Sequence, residues 1–252
     1  LALISEIAVL LAFTLGGGYV GGILINPEDG TRLEALQRAV AAGCDWVDTA
    51  ADYGKGESEL ALGRLLPDVS PRPRVSTKLR LDTERLGDLV GEVRRGLEAS
   101  LERLRLDRVE LFQLHNPIVR RTGDGRLSPR HALHMADAFE RVREEGLFDV
   151  YGLTALGEAA PIVEVLRAGR YDAAQVYYNM LNPSAGRTMP EGWTGQDFGG
   201  IVEACTAQDM GVMNIRVLAG GVLASDRPHG REVIVTTDAD LAREQDRARR
   251  ML

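Results

Sequence analysis

Cys44-Asp45-Trp46-Val47-Asp48 reads as a short apolar strand, Glu57-Ser58-Glu59-Leu60-Ala61-Leu62-Gly63-Arg64-Leu65-Leu66 as an amphipathic helix, and Arg74-Val75-Ser76-Thr77-Lys78-Leu79 as a second strand. Strand, helix-length crossover and strand make a βαβ unit, whose two strands lie parallel. The same alternation extends outward on both sides. Apolar runs at 7–15, 109–114, 149–153, 173–178 and 211–217 join those at 46–47 and 74–79. Helical stretches near 32–42, 57–66, 82–104, 130–145, 158–168 and 199–208 fall between them. The clearest is the third, where Leu86, Leu89, Val90, Val93, Leu97, Leu101 and Leu104 recur at three- and four-residue steps. A last helix is expected from about Asp238 to the end.

Alternation without a Pro/Ser linker predicts one domain over residues 1–252. Two α/β architectures fit it. An open doubly wound sheet places G-x-G-x-x-G directly after its first strand, with a helix opening on the glycines. Here Gly16-Gly17-Gly18-Tyr19-Val20-Gly21 follows the first strand, but no helical pattern opens there and Pro27 soon follows. The pattern therefore favours a (β/α)8 TIM barrel whose last βα unit is missing from this sequence. The sequence opens on Leu1 and stops at Leu252 inside a charged helical run, so both ends look cut.

With 252 residues, 44% hydrophobic and 27% charged, the composition excludes collagen-like, coiled-coil and wholly disordered classes. A net charge of −7 and a pI near 5.3 argue against nucleic-acid binding as the main role. Two cysteines, Cys44 and Cys205, are too few for a disulfide framework, read as small core residues, and suit a reducing cytoplasm. Residues 7–25 carry no charge and reach the length of a spanning helix. Five glycines interrupt them and no Lys or Arg precedes them, so a buried strand followed by a glycine loop is the favoured reading and a membrane role is not.

Four ionisable residues fall at or just past the ends of three consecutive strands: Asp48, Tyr53 in the loop that follows it, Lys78 and His115. In a barrel, parallel strands converge with their C-terminal ends on one mouth, where active sites are built. Of 30 basic residues 28 are arginine, so Lys78 stands where this sequence ordinarily has Arg and points to a need for a compact amine. A lysine ammonium beside a tyrosine hydroxyl favours the phenolate and is expected to lower its pKa. An aspartate beside the lysine keeps it charged and in place. A neutral histidine can donate a hydrogen bond to a substrate oxygen while the tyrosine supplies or takes its proton. Singly, each residue has a bland explanation as a cap, a rim ion pair or a strand-end side chain. Together they suit a carbonyl that accepts a hydride.

Asp48-Thr49-Ala50-Ala51-Asp52-Tyr53-Gly54, followed by Gly56-Glu57-Ser58-Glu59 and Leu62-Gly63, resembles the signature of the aldo-keto reductases. Ser76-Thr77-Lys78 and Leu106-Asp107-Arg108-Val109 through Gln113-Leu114-His115-Asn116 are similar to two further blocks of that family, in the same order. The resemblance implies a (β/α)8 barrel, a catalytic tetrad of Asp48, Tyr53, Lys78 and His115, a small carbonyl or sugar substrate, and a nicotinamide cofactor, NADP by family habit with NAD possible. It further implies that Thr154 and Gln175 hold the carboxamide, and that Arg216, Leu218, Ala219 and Gly221 lie along the pyrophosphate. Ala155 stands where the family commonly has Asn, and Ile215 where many relatives place an aromatic. The implied activity is hydride transfer between NAD(P) and an aldehyde, ketone or sugar hydroxyl. The alternative is a cofactor-binding regulatory or catalytically silent member of the same fold.

Other features weigh less. His131 and His134 lie one helical turn apart with no Cys or acidic partner at ligand spacing, so no metal site is expected. His229 lies in a polar loop without context. Trp193, with Tyr19 and Tyr53, is a candidate lining for a substrate pocket.

Overall fold

The computed structural model describes residues 12–13, 29–84, 86–228, 232, 236 and 240–251. In chain order these form β1 (Ala12–Phe13), α1 (Asp29–Ala41), β2 (Trp46–Asp48), α2 (Glu57–Leu65), β3 (Arg74–Leu79), α3 (Leu89–Leu104), β4 (Val109–Leu114), α4 (Pro129–Arg143), β5 (Phe148–Thr154), α5 (Ala159–Arg167), β6 (Ala173–Tyr177), α6 (Ile201–Ala207), β7 (Gly211–Ile215) and α7 (Leu241–Arg249). All pairings are parallel, and the strand order is β1-β2-β3-β4-β5-β6-β7. A doubly wound sheet reverses its order at a switch point. No reversal occurs here, so the winding is that of a TIM barrel, with β1 and β7 at the ends of the sheet. Among the described residues there is no eighth strand.

Side chains alternate along each strand between the barrel interior and the helical layer. On β3, Val75 joins the core beneath the helices and Thr77 bonds to Glu59 of α2, whereas Ser76 and Lys78 turn inward to Asp48. The interior is plugged below the mouth by Trp46, Leu111, Ala173 and Met213, with Val150 against them. The larger core lies between strands and helices. It includes an aromatic cluster: Phe112 and Phe139 are 5.2 Å apart edge-on, and Phe139 stacks on Tyr151 at 5.7 Å. Phe148 closes the group at 5.7 Å from Phe112, and the Tyr151 hydroxyl escapes burial by donating to Glu140 at 2.7 Å.

A second buried polar knot ties β3 to the helices. Glu59, fully buried, accepts from Thr77 Oγ1 at 2.5 Å and from Arg103 Nε of α3 at 2.6 Å. Helices α2 and α3 cross closely at Gly63, where a Cβ would lie 2.4 Å from the Arg103 carbonyl oxygen.

The boundaries differ from the sequence reading in instructive places. The helix expected over 82–104 begins only at Leu89, because the Asp88 side chain accepts from Gly91 N–H at 2.9 Å and caps it there. Helix α7 is likewise capped by Asp240, which accepts from Arg243 N–H at 2.8 Å. Of the apolar run 7–25, Ala12 and Phe13 form a strand paired with Trp46 and Val47. The glycine loop at 16–22, Tyr19 and His229 lie outside the described residues. Among the described residues, no helix is long and apolar enough to cross a membrane. Cys44 and Cys205 are buried, and the Cys44 thiol donates to the Trp46 carbonyl at 3.4 Å.

The aromatic core sets a measurable stability. Phe139→Ala removes a fully buried ring from three aromatic contacts and should cost about 3–5 kcal/mol in urea unfolding; a loss under about 1 kcal/mol would show that the cluster does not carry the core.

Candidate active site

Asp48 is the last residue of β2, Lys78 lies one residue from the end of β3, and His115 directly follows β4. The His115 N–H donates to Leu79 O at 2.8 Å. The next residue, Asn116, accepts from Leu81 N–H and donates to the carbonyls of Leu81 and Gly125, which pins the loop leaving β4. Tyr53 opens a tight turn, Tyr53–Gly56, in which Gly54, Lys55 and Gly56 all have positive φ. At Gly56, with φ near 95°, an L side chain would be strained, so glycine is what lets the loop return into α2.

Lys78 is fully buried. Its Nζ donates to Asp48 Oδ2 at 2.5 Å, to the Thr49 carbonyl at 2.6 Å and to the Tyr53 hydroxyl at 3.4 Å, and lies 4.7 Å from the centre of the Tyr53 ring. Asp48 is satisfied in turn, its Oδ1 accepting from Ser76 Oγ and from Gln175 Nε2, both at 2.7 Å. The Tyr53 and His115 rings meet edge-on at 5.6 Å. The four residues predicted from strand ends therefore form one contiguous site.

Burial works against the Lys78 ammonium, but Asp48 and Tyr53 more than offset it and hold its pKa above the ordinary lysine range. The expectation for Tyr53 is overturned. Burial raises its phenol above the ordinary value of 10.0, and the opposing pull of Lys78 is not enough to bring it down. Asp48 and Asp52 push the same way as burial. The phenol is thus a protonated group at neutral pH.

His115 has a partner that the sequence reading missed. Its Nδ1 lies 3.0 Å from Asp52 Oδ1, and Asp52 Oδ2 accepts from Arg80 Nε at 3.1 Å. Asp52 sits next to Tyr53 in the sequence, and that adjacency was the only available signal. Burial lowers the His115 pKa, the Asp52 carboxylate opposes this, and Lys78 and Arg80 add to the lowering, so the ring titrates below the ordinary histidine value.

The remaining candidates divide into two groups. Thr154 and Gln175 are register partners on β5 and β6 and both are buried. Gln175 reaches Asp48, while the Thr154 hydroxyl donates to Leu114 O at 3.2 Å. Arg216, Leu218, Ala219 and Gly221 lie in the turn after β7, where Arg216, Ala219 and Gly221 have positive φ. The Arg216 guanidinium is 5.7 Å from the Tyr177 ring, and Leu218 is exposed. Ala219 packs with Leu181, Val222, Leu223 and Ala248 of α7. It also helps line a cavity of about 190 Å³ with Tyr177, Trp193, Leu241 and Arg247. Trp193 faces that cavity, which Tyr53 does not line, so the two aromatics do not share a pocket as expected. His131 sits in the first turn of α4 against Ser128 Oγ, and among the described residues no three His, Cys, Asp or Glu side chains group as a metal site.

A family model described as "Aldo/keto reductase family" matches residues 13–246. The chain belongs to the aldo/keto reductase family. D-threo-aldose 1-dehydrogenase of a Pseudomonas species is 29% identical to it over 251 residues, covering 86% of this chain and 68% of that protein. Human aflatoxin B1 aldehyde reductase member 2 is 32% identical over 184 residues, covering 68% of this chain. The chain spans about half, 48%, of that reductase. In fold it is similar to an aldo-keto reductase from Klebsiella pneumoniae solved with NADPH, at a TM-score of 0.61 and 20% identity, covering 86% of this chain and 68% of that one. Glycerol dehydrogenase from Gluconobacter oxydans superposes at a TM-score of 0.62 with 19% identity, over 90% of this chain and 63% of its own. Membership makes this an aldo-keto reductase-family oxidoreductase.

Asp48→Asn leaves a fully buried ammonium without its counter-charge and should destabilise the fold by about 3–5 kcal/mol in urea unfolding. Adding Lys78→Met should restore most of that loss. Additive destabilisation by the two changes would show that they are not a coupled pair.

Proposed function

We propose that this aldo/keto reductase transfers hydride between a nicotinamide cofactor, NADP in preference to NAD, and an aldehyde, ketone or sugar hydroxyl. The observation that carries this is one buried ammonium shared by Asp48 and the Tyr53 hydroxyl, with the His115 ring against Tyr53. Tyr53, kept protonated by burial, is ready to give its proton to a carbonyl oxygen as charge develops there. Lys78 stabilises the phenolate left behind, at no reorganisation cost because Asp48 and Thr49 O already hold it. In the opposite direction the phenolate takes the proton of a hydroxyl. His115 supports the substrate oxygen beside Tyr53.

The acceptors left over fit a nicotinamide carboxamide at its NH2 end. Gln175 commits its N–H to Asp48 and Thr154 commits its O–H to Leu114 O, so the Gln175 carbonyl oxygen and the Thr154 lone pairs remain as acceptors. Arg216 supplies a positive charge near the turn formed by Leu218, Ala219 and Gly221, which suits a pyrophosphate. When bound, the cofactor supplies or takes the hydride. The preference for NADP is supported by the Klebsiella relative, which was solved with NADPH. We read residues 1–252 as one domain acting in the cytoplasm, where the Cys205 thiol, pushed up to about 11 by burial, is inert.

The test is oxidation of NADPH and NADH against a panel of aldehydes, ketones and sugars, with Tyr53→Phe alongside. That variant should lose about 10²–10⁴ in kcat while its cofactor titration, followed by tryptophan quenching, stays unchanged. Full turnover without the phenol would reject the assignment.

A further inference from the structure

Tyr53 is placed by its backbone rather than by its hydroxyl. The Lys78 Nζ to Tyr53 Oη distance of 3.4 Å is at the outer limit of a hydrogen bond, whereas Asp48 Oδ2 and the Thr49 carbonyl take the same ammonium at 2.5 and 2.6 Å. The ring is half-buried and meets Lys78 and His115 through contacts less directional than a hydrogen bond. The turn that carries it is strained: Lys55 holds a φ of 56° between Gly54 at 58° and Gly56 at 95°. A non-glycine residue in that region persists only where its surroundings hold it there.

Two contacts supply the hold. Thr49 Oγ1 donates to Ser58 Oγ at 2.8 Å, which draws the start of α2 to the end of β2 and closes the loop between them. On the far side, a Cβ on Gly56 would lie 3.0 Å from Arg103 Cδ and 3.3 Å from its Nε, so Arg103 of α3 packs directly on the last residue of the turn. Arg103 is itself fixed. Its Nε donates to Glu59 Oε2 at 2.6 Å and its Nη2 to Ser100 Oγ at 3.2 Å. Glu59, fully buried, is in turn held by Thr77, the residue before Lys78. Strand β3 therefore carries Lys78 on its inner face and, through Thr77, Glu59 and Arg103, the support of the Tyr53 turn on its outer face.

Resting on the redox reading above, we propose that Arg103 is a positioning residue for Tyr53. The stem of its side chain, locked by Glu59 and Ser100, is the floor on which the Tyr53–Gly56 turn rests, and it sets the distance between the phenol and Lys78. The charge of the guanidinium serves to lock the stem to Glu59, and the stem does the positioning. A misplacement of about 1 Å at a reacting group costs on the order of 10²-fold in rate, so a residue outside the barrel interior governs turnover through this floor.

Two paired substitutions separate the stem from the charge. Glu59→Gln/Arg103→Met removes both charges and keeps an unbranched stem, whose Sδ takes the place of the arginine Cδ. Glu59→Gln/Arg103→Ala removes the stem as well. In both, the amide at position 59 still accepts from Thr77. The ring resonances of 13C-labelled tyrosine in the full chain, with Tyr53→Phe for assignment, read the placement of the phenol without any turnover. They should match the wild type in the methionine pair and shift in the alanine pair. In kinetics the alanine pair should lose about 10²-fold in kcat with its cofactor titration unchanged, and the methionine pair should keep the wild-type kcat. Tyr53 resonances that stay in place in both folded pairs, or that move equally in both, overturn the proposal. Should the alanine pair fail to fold by circular dichroism, Arg103→Val in the same background, which stops at Cγ, carries the same expectations. If the wild type proves inactive, the redox reading fails by itself, and the Tyr53 resonances alone decide this proposal.

Discussion

A fully buried ammonium has no water to solvate it, and placing one inside a barrel costs several kcal/mol unless every donor finds an acceptor. Lys78 meets that demand with Asp48 Oδ2, the Thr49 carbonyl and the Tyr53 hydroxyl. Each partner comes with its own constraint. Asp48 must be at the end of β2, in register with Ser76, and Thr49 must continue the ladder through its N–H to Ser76 O at 2.9 Å. Ala51 N–H then reaches Lys78 O at 3.3 Å, which folds the loop back over β3 and delivers Tyr53. The geometry of this cluster is in this sense a by-product of solvating one charge.

The same burial explains the protonation state of the tyrosine. A cation 3.4 Å from a phenol oxygen favours the phenolate in isolation. That cation, however, is already neutralised by Asp48 at 2.5 Å, and a second carboxylate, Asp52, stands nearby. A largely neutralised ion pair exerts a weak pull, and desolvation decides the outcome. The polarity around the tyrosine is set by the whole cluster rather than by its nearest neighbour.

The strands were legible because fully buried parallel strands read as short apolar runs, and Arg74–Leu79 and Val109–Leu114 fall where the pattern puts them. The start of α3 was not, because leucine periodicity continues through Leu86, while the boundary belongs to a side-chain cap at Asp88. The tetrad stood out because charged residues rarely end apolar strands. Two site features left no such trace. Gln175 binds Asp48 across 127 residues of sequence, a pairing that the curl of the sheet creates by bringing β6 opposite β2. Asp52 looks in sequence like an ordinary loop acid, and its partners His115 and Arg80 are brought to it by two other strands.

β3 carries charge-bearing contacts on both faces at adjacent positions. Lys78 points inward to Asp48, and Thr77 points outward to the Glu59–Arg103 pair. Sliding this strand by one residue would exchange the two faces, and sliding it by two would leave Asp48 and Glu59 without these contacts. A single six-residue strand thus acts as a key with teeth on opposite edges, and a misaligned pairing strands charge as well as displacing the buried Val75.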